Sequence, residues 1–260
     1  MLQAQVRRNG LTLMELIVVL VILIALAGVL IPLLPSMVKR AHTASGATNT
    51  SEITKYVQTY QQLYLSYPDE WDALTDGSAI ISYLPGTTDL MADSPTAKEL
   101  AALQAAGVSN VHYLSAAPVA DPWTPTFNPY ATQPTPGGPK PAPTPISTST
   151  KLVFLDPATN AAALKLGQAG TGRYVVLGLG KRCTLVGKVA TDAPVHFGDS
   201  PQLNASTSYM RFAAVFKVSD SNPGVVISQA VFVGVVGIHD DGIAGTDSHL
   251  EEYYNTTKAQ

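Results

Sequence analysis

The sequence predicts an α+β protein. A long N-terminal α-helix, membrane-spanning and then amphipathic, is expected to pack on a C-terminal antiparallel β-sheet head. Three observations predict this. Leu16 to Leu34 contains no charged residue. Ile53, Tyr56, Val57, Tyr60, Leu63, Tyr64 and Tyr67 then recur at steps of three and four, the period of one helix face. Beyond residue 150, runs rich in Val, Phe, Tyr and Leu alternate with Gly and Asn-Pro breaks, as strands and turns do.

The first element is the apolar run. At about 1.5 Å per residue, roughly 20 residues cross a hydrocarbon layer of about 30 Å, so this stretch is expected to span a membrane. Arg7 and Arg8 precede it, which predicts a cytoplasmic N-terminus and an extracytoplasmic remainder. A secretory signal peptide carries its polar cleavage region after the apolar core, whereas here Asn9-Gly10 comes before it. Glu15 is the lone acid at the head of the run. A carboxylate in apolar surroundings costs about 2.5–3.5 kcal/mol on insertion scales, and a partner cation offsets that cost. The plainer alternative has Glu15 facing headgroup water. Gly28, Pro32 and Pro35 weaken helical order, so the helix either loosens locally or ends near Pro35.

Gly10-Leu11-Thr12-Leu13-Met14-Glu15-Leu16, behind a basic leader and ahead of an apolar helix, resembles the prepilin cleavage and methylation motif. That motif marks the type IV pilins and the pseudopilins of type II secretion, with the major pseudopilin nearest. Leu11 departs from the phenylalanine usual in the family. The resemblance implies a pilin-like fold and cleavage by prepilin peptidase after Gly10, with methylation of the new Leu11 amine. It also implies that Glu15 pairs with the Leu11 amine of a neighbouring subunit to set axial register, and that Pro32 loosens the helix. The implied role is structural and not enzymatic: a subunit of a type II secretion pseudopilus that drives protein export. A type IV pilus subunit, major or minor, and a membrane-anchored extracytoplasmic binding module are the alternatives. Implied partners are prepilin peptidase, other copies and other pilins or pseudopilins, the inner-membrane assembly platform and the membrane itself. The implied location is single-pass in the inner membrane, then a periplasmic or surface filament.

The charge balance points away from nucleic acid. The formal charge is −3, and removal of Arg7 and Arg8 leaves 14 basic residues against 19 acids, about −5. Such a chain lacks a broad phosphate-binding footprint. Cys183 is the only cysteine, so no intrachain disulfide forms.

The remaining elements follow in order. Residues 1–10 read as leader, 11–35 as the transmembrane or filament-core helix, and 36–74 as the amphipathic half of that helix and its end. Ala44 to Thr50, "ASGATNT", is a weak helical stretch where a kink is expected. Tyr67-Pro68-Asp69-Glu70-Trp71 stops the helix, with Asp69, Glu70 and Asp72 as a solvated turn. Residues 75–131 form a variable region. It holds a second helix over Asp93 to Gly107, capped by Asp93 or Ser94, and a short strand over Asn110 to Leu114. Asp121 to Tyr130, "DPWTPTFNPY", is similar to a stretch of major pseudopilins ahead of their sheet. Residues 132–150, rich in Pro, Gly, Ser and Thr, read as an insertion or linker. Residues 151–260 supply strands over Lys151 to Leu155, Arg173 to Leu179, Tyr209 to Val218 and Val225 to Ile238. A turn at Asn222-Pro223-Gly224 makes the last two an antiparallel pair.

Little in the chain spells catalysis. Gly167 to Gly172 has the glycine spacing of a phosphate loop, but Arg173 and Tyr174 replace its Lys and Ser/Thr. It reads as a turn entering a strand. The five histidines have no zinc or triad spacing. The best ligand candidate is the loop with Asp240, Asp241 and Asp247 around Gly242 and Gly245. Its oxygens suit structural Ca²⁺, and it resembles a calcium-binding loop of major pseudopilins. An exposed acidic turn and zinc through His239 or His249 stand beside that reading.

Overall fold

A computed structural model describes residues 13–31, 34–114, 119–120, 127–128, 142–156, 172–196, 208–220, 225–239, 242–245, 248, 250–251 and 254–255. The chain divides into two compact units, Met1–Ala41 and His42–Gln260.

In the first unit the expected continuous span does not form. Helix α1 covers Leu13–Leu30, 18 residues, and helix α2 restarts at Leu34. At 1.5 Å per residue α1 is about 27 Å long, short of a hydrocarbon layer of about 30 Å. Glu15 in its first turn shortens the uncharged part further. Among the described residues no helix is long and apolar enough to cross a membrane. This overturns the membrane-spanning helix and the single-pass inner-membrane placement. Pro35 lies in the first turn of α2, where its missing N–H costs nothing.

Helix α2 runs over Leu34–Tyr64, 31 residues, without a break at Ala44 to Thr50. The threonine hydroxyls in and after this stretch bond back along the helix. Thr48 Oγ1 donates to the Ala44 carbonyl at 3.0 Å, Thr50 Oγ1 to Gly46 at 3.0 Å, and Thr54 Oγ1 to Thr50 at 2.7 Å. Ala47, Thr50, Ile53, Val57 and Tyr60 are buried on one face, while Tyr56, Leu63 and Tyr64 are exposed. The helix ends at Tyr64, and Leu65 takes a left-handed φ of 56°.

The second unit is built on a nine-stranded sheet among the described residues. Its strands are β1 (Trp71–Asp72), β2 (Leu90–Asp93), β3 (Asn110–His112), β6 (Thr144–Pro145), β7 (Leu152–Leu155), β8 (Arg173–Gly178), β9 (Ala213–Ser219), β10 (Val226–His239) and β11 (Gly242–Ala244). A separate pair is made by β4 (Val119–Ala120) and β5 (Phe127–Asn128). The main order is β11-β10-β9-β8-β1-β3-β6. Strand β8 lies along β9 on one edge. On the other edge it meets β7 at Val175 and Val176, and β1 at Gly178. Strand β2 pairs with β7. Strands β1 and β3 are parallel, with Trp71 opposite Val111, and the other pairs of this sheet are antiparallel.

The expected architecture, a long spanning helix on a purely antiparallel C-terminal head, is therefore corrected. The sheet is mixed and takes strands from residues 71 to 145 as well as from the C-terminal part. Two-residue strands such as β1 have no period of their own; β1 is held in the sheet by Gly178 of β8 on one side and by β3 on the other.

Side chains alternate along each strand and feed two apolar layers. Val175, Leu177, Phe154, Ala214 and Phe216 join Ile53, Val57, Tyr60, Ala102 and Leu103. Tyr174, Val176, Val153, Ala213 and Val215 join Leu74, Ile81, Tyr83 and Leu84. All six residues of β8 are buried, which is why it reads as a near-continuous apolar run. Helix α3 (Ala97–Ala105) is capped by Thr96, not by Asp93 or Ser94. The Thr96 hydroxyl accepts from the Glu99 N–H while the Glu99 carboxylate accepts from the Thr96 N–H.

Candidate functional site

Among the described residues, helix α1 exposes a continuous apolar surface. Leu16, Ile17, Val18, Val19, Leu20, Val21, Ile22, Leu23 and Ile24 are each at least 50% exposed. Successive residues turn by about 100°, so nine in a row cover every side of the helix. Glu15, in the first turn, has its carboxylate near the positive end of the helix dipole, where a negative charge is stabilised. Gly28 lies in the last turn of α1. Gly10, Leu11 and Pro32 lie outside the described residues.

The turn after α2 is not solvated as expected. Asp69 Oδ1 accepts the N–H groups of Ser109 at 2.9 Å and Asn110 at 2.8 Å, and its Oδ2 accepts Asn110 Nδ2 at 2.7 Å. Thr184 Oγ1 accepts the Asp69 N–H at 2.8 Å. Asp72 is fully buried, and its Oδ2 accepts the Tyr209 hydroxyl at 2.8 Å. His112 Nε2 lies 3.3 Å from Glu70 Oε2. Burial, then the Arg182 charge, holds the His112 pKa below its ordinary value, although Glu70 and Asp69 act the other way. Glu70 and Leu74 adopt φ of 61° and 60°, a conformation that side chains normally avoid. The Trp71 ring, fully buried, anchors the turn and donates Nε1–H to the Pro68 carbonyl at 2.5 Å. Burial pushes the nearby Cys183 thiol well above its usual pKa, which keeps it protonated and unreactive. Trp71, Asp72, His112 and Cys183 are buried while Asp69 and Glu70 are partly exposed, and the cluster stitches loops together.

Arg173, the residue in place of a phosphate-loop lysine, is spent on an ion pair. Its Nη1 donates to Glu99 Oε2 at 2.7 Å, its Nη2 donates to Asp93 Oδ2, and its guanidinium lies 4.0 Å from the Phe154 ring centroid. This ties the capping box of α3 to the start of β8.

The predicted calcium ligands Asp240, Asp241 and Asp247, and His249, lie outside the described residues. Among the described residues no group of three or more His, Cys, Asp or Glu side chains could hold a metal ion. Two described clefts, of about 200 and 320 Å³, share Glu52 on α2. The pairs Asp72–Tyr209 and His196–His239 were invisible to motif reading. Their members are 137 and 43 residues apart, and no local spacing links them. The chain has no significant match to any protein-family model, curated protein or solved structure with which it was compared.

Proposed function

We propose that this chain is a pilin-like structural subunit, cut by prepilin peptidase after Gly10 and assembled with other copies and related subunits into a filament. The type II secretion pseudopilus, which serves protein export, is the preferred assembly. Asp121-Pro122-Trp123 and the acidic C-terminal loop favour it over a type IV pilus. One observation carries the reading: α1 is apolar and exposed on every side, with one acid in its first turn. Apolar surface left in water costs roughly 25 cal/mol per Å². A helix too short to cross a hydrocarbon layer is covered most simply by copies of itself. The glycine, the acid and the apolar run also stand in the order that the cleavage motif requires.

N-terminal mass spectrometry of the native protein tests this directly. The expected mature start is a methylated Leu11, and an uncut Met1 or a different start would sink the proposal. Gly10→Val is expected to block processing.

A further inference from the structure

The structure points to a second, separate site. We propose that His196 and His239 form a two-imidazole site for a late first-row divalent metal such as Zn²⁺, with Gly237 holding its coordinating side open. The two Nε2 atoms lie 3.1 Å apart. The rings are nearly perpendicular, with centroids 4.5 Å apart. Both residues are buried, at 3% and 8% exposure. At Zn–N distances of 2.0–2.1 Å, a 3.1 Å separation gives an N–Zn–N angle of about 98°, within reach of a distorted tetrahedral or a square arrangement.

The backbone fixes both rings in advance. The His196 N–H donates to the Met210 carbonyl at 2.8 Å, and its ring packs on Phe212 with centroids 5.1 Å apart. His239 ends β10 and pairs with Gly242 of β11. Gly86, at a left-handed φ of 59°, presses against the His239 carbonyl so closely that a Cβ there would stand 1.8 Å from it.

Gly237 supplies the independent observation. A Cβ at this position would lie 3.2 Å from His196 Nε2 and 3.3 Å from His239 Nε2, and the nearest atoms around it belong to these two rings. The missing side chain thus leaves a space bordered by both ring nitrogens. Without metal, only one hydrogen fits between the two Nε2 atoms, so one ring donates and the other accepts. Metal binding moves that hydrogen to the donor's Nδ1, which leaves both Nε2 lone pairs available to the metal. No net proton is released when both rings start neutral. Imidazole pairs select Zn²⁺, Cu²⁺ or Ni²⁺, whereas Ca²⁺ prefers oxygen.

The test uses the full chain, stripped with chelator and titrated with Zn²⁺, with Ca²⁺ as the control. Calorimetry gives affinity, and ¹⁵N imidazole spectra show which ring nitrogens move. One Zn²⁺ per chain is expected, shifting the Nε2 resonances of both His196 and His239, with no such shift from Ca²⁺. His239→Gln should abolish the shift. Gly237→Ala keeps both histidines and has an allowed backbone, and it should weaken Zn²⁺ binding at least tenfold. Unmoved Nε2 resonances in the unsubstituted chain would overturn the site, as would equal affinity in a folded Gly237→Ala variant.

Discussion

At the scale of single residues, the buried polar contacts make the sharpest predictions. Tyr209→Phe removes the only hydroxyl of that side chain and leaves the fully buried Asp72 one donor poorer. A loss of about 1–3 kcal/mol in urea unfolding is expected. His112 gives stability a direction with pH. Its folded pKa is lowered by burial, so below about pH 6.5 the unfolded chain takes up a proton that folded His112 refuses. Stability from this residue is therefore intact above that pH and falls as the pH drops through and below it. His112→Gln should flatten that slope in parallel unfolding curves. Cys183 should resist thiol reagents in the native protein and react fully once denaturant opens the core, because its thiol is both buried and held protonated.

At the scale of elements, helix α3 and the β10–β11 hairpin depend on single positions. Thr96→Ala removes one half of a reciprocal cap and should cost about 0.5–2 kcal/mol. The Glu99 carboxylate would still hold Arg173, so the loss should appear as fraying of the first turn of α3 in amide exchange. Gly86→Ala meets both a left-handed backbone and a carbonyl oxygen 1.8 Å from the new carbon. It should destabilise more than Thr96→Ala and speed exchange at Ile238 and Ile243, which face each other across the hairpin.

At the scale of the whole molecule, the apolar surface of α1 sets behaviour. It predicts concentration-dependent self-association, readable by sedimentation. A charge placed on it, as in Ile17→Lys or Leu20→Lys, should shift the chain toward monomer. Glu15→Val has a different expected signature: processing continues while ordered assembly fails. Normal filaments from that variant would remove the register role of Glu15 and leave the apolar surface as the whole driving force.

The sequence by itself determined the periodic features. The runs around Leu152–Leu155, Arg173–Gly178 and Ala213–Ser219 were legible because strands buried on two faces write long apolar stretches, and Val226–His239, partly exposed in its first half, was legible from its Val- and Ile-rich composition. The burial of Ile53, Val57 and Tyr60 was legible from helical spacing, and the presence of a helix in the apolar run was legible from its composition. Only the tertiary structure decided the rest. Apolar content alone could not show that α1 stops at Leu30, because helix length depends on where hydrogen bonding ends. Strand β1 is held by its pairing with Gly178 of β8, and β3 by its parallel pairing with β1, not by any preference of two or three residues to be extended. Asp69 and Asp72 read as surface acids, yet they are locked by donors from residues 40 to 137 positions away. The His196–His239 pair arises in the same way. Contacts between distant residues carry no local period, so they emerge only when the sheet brings their strands together.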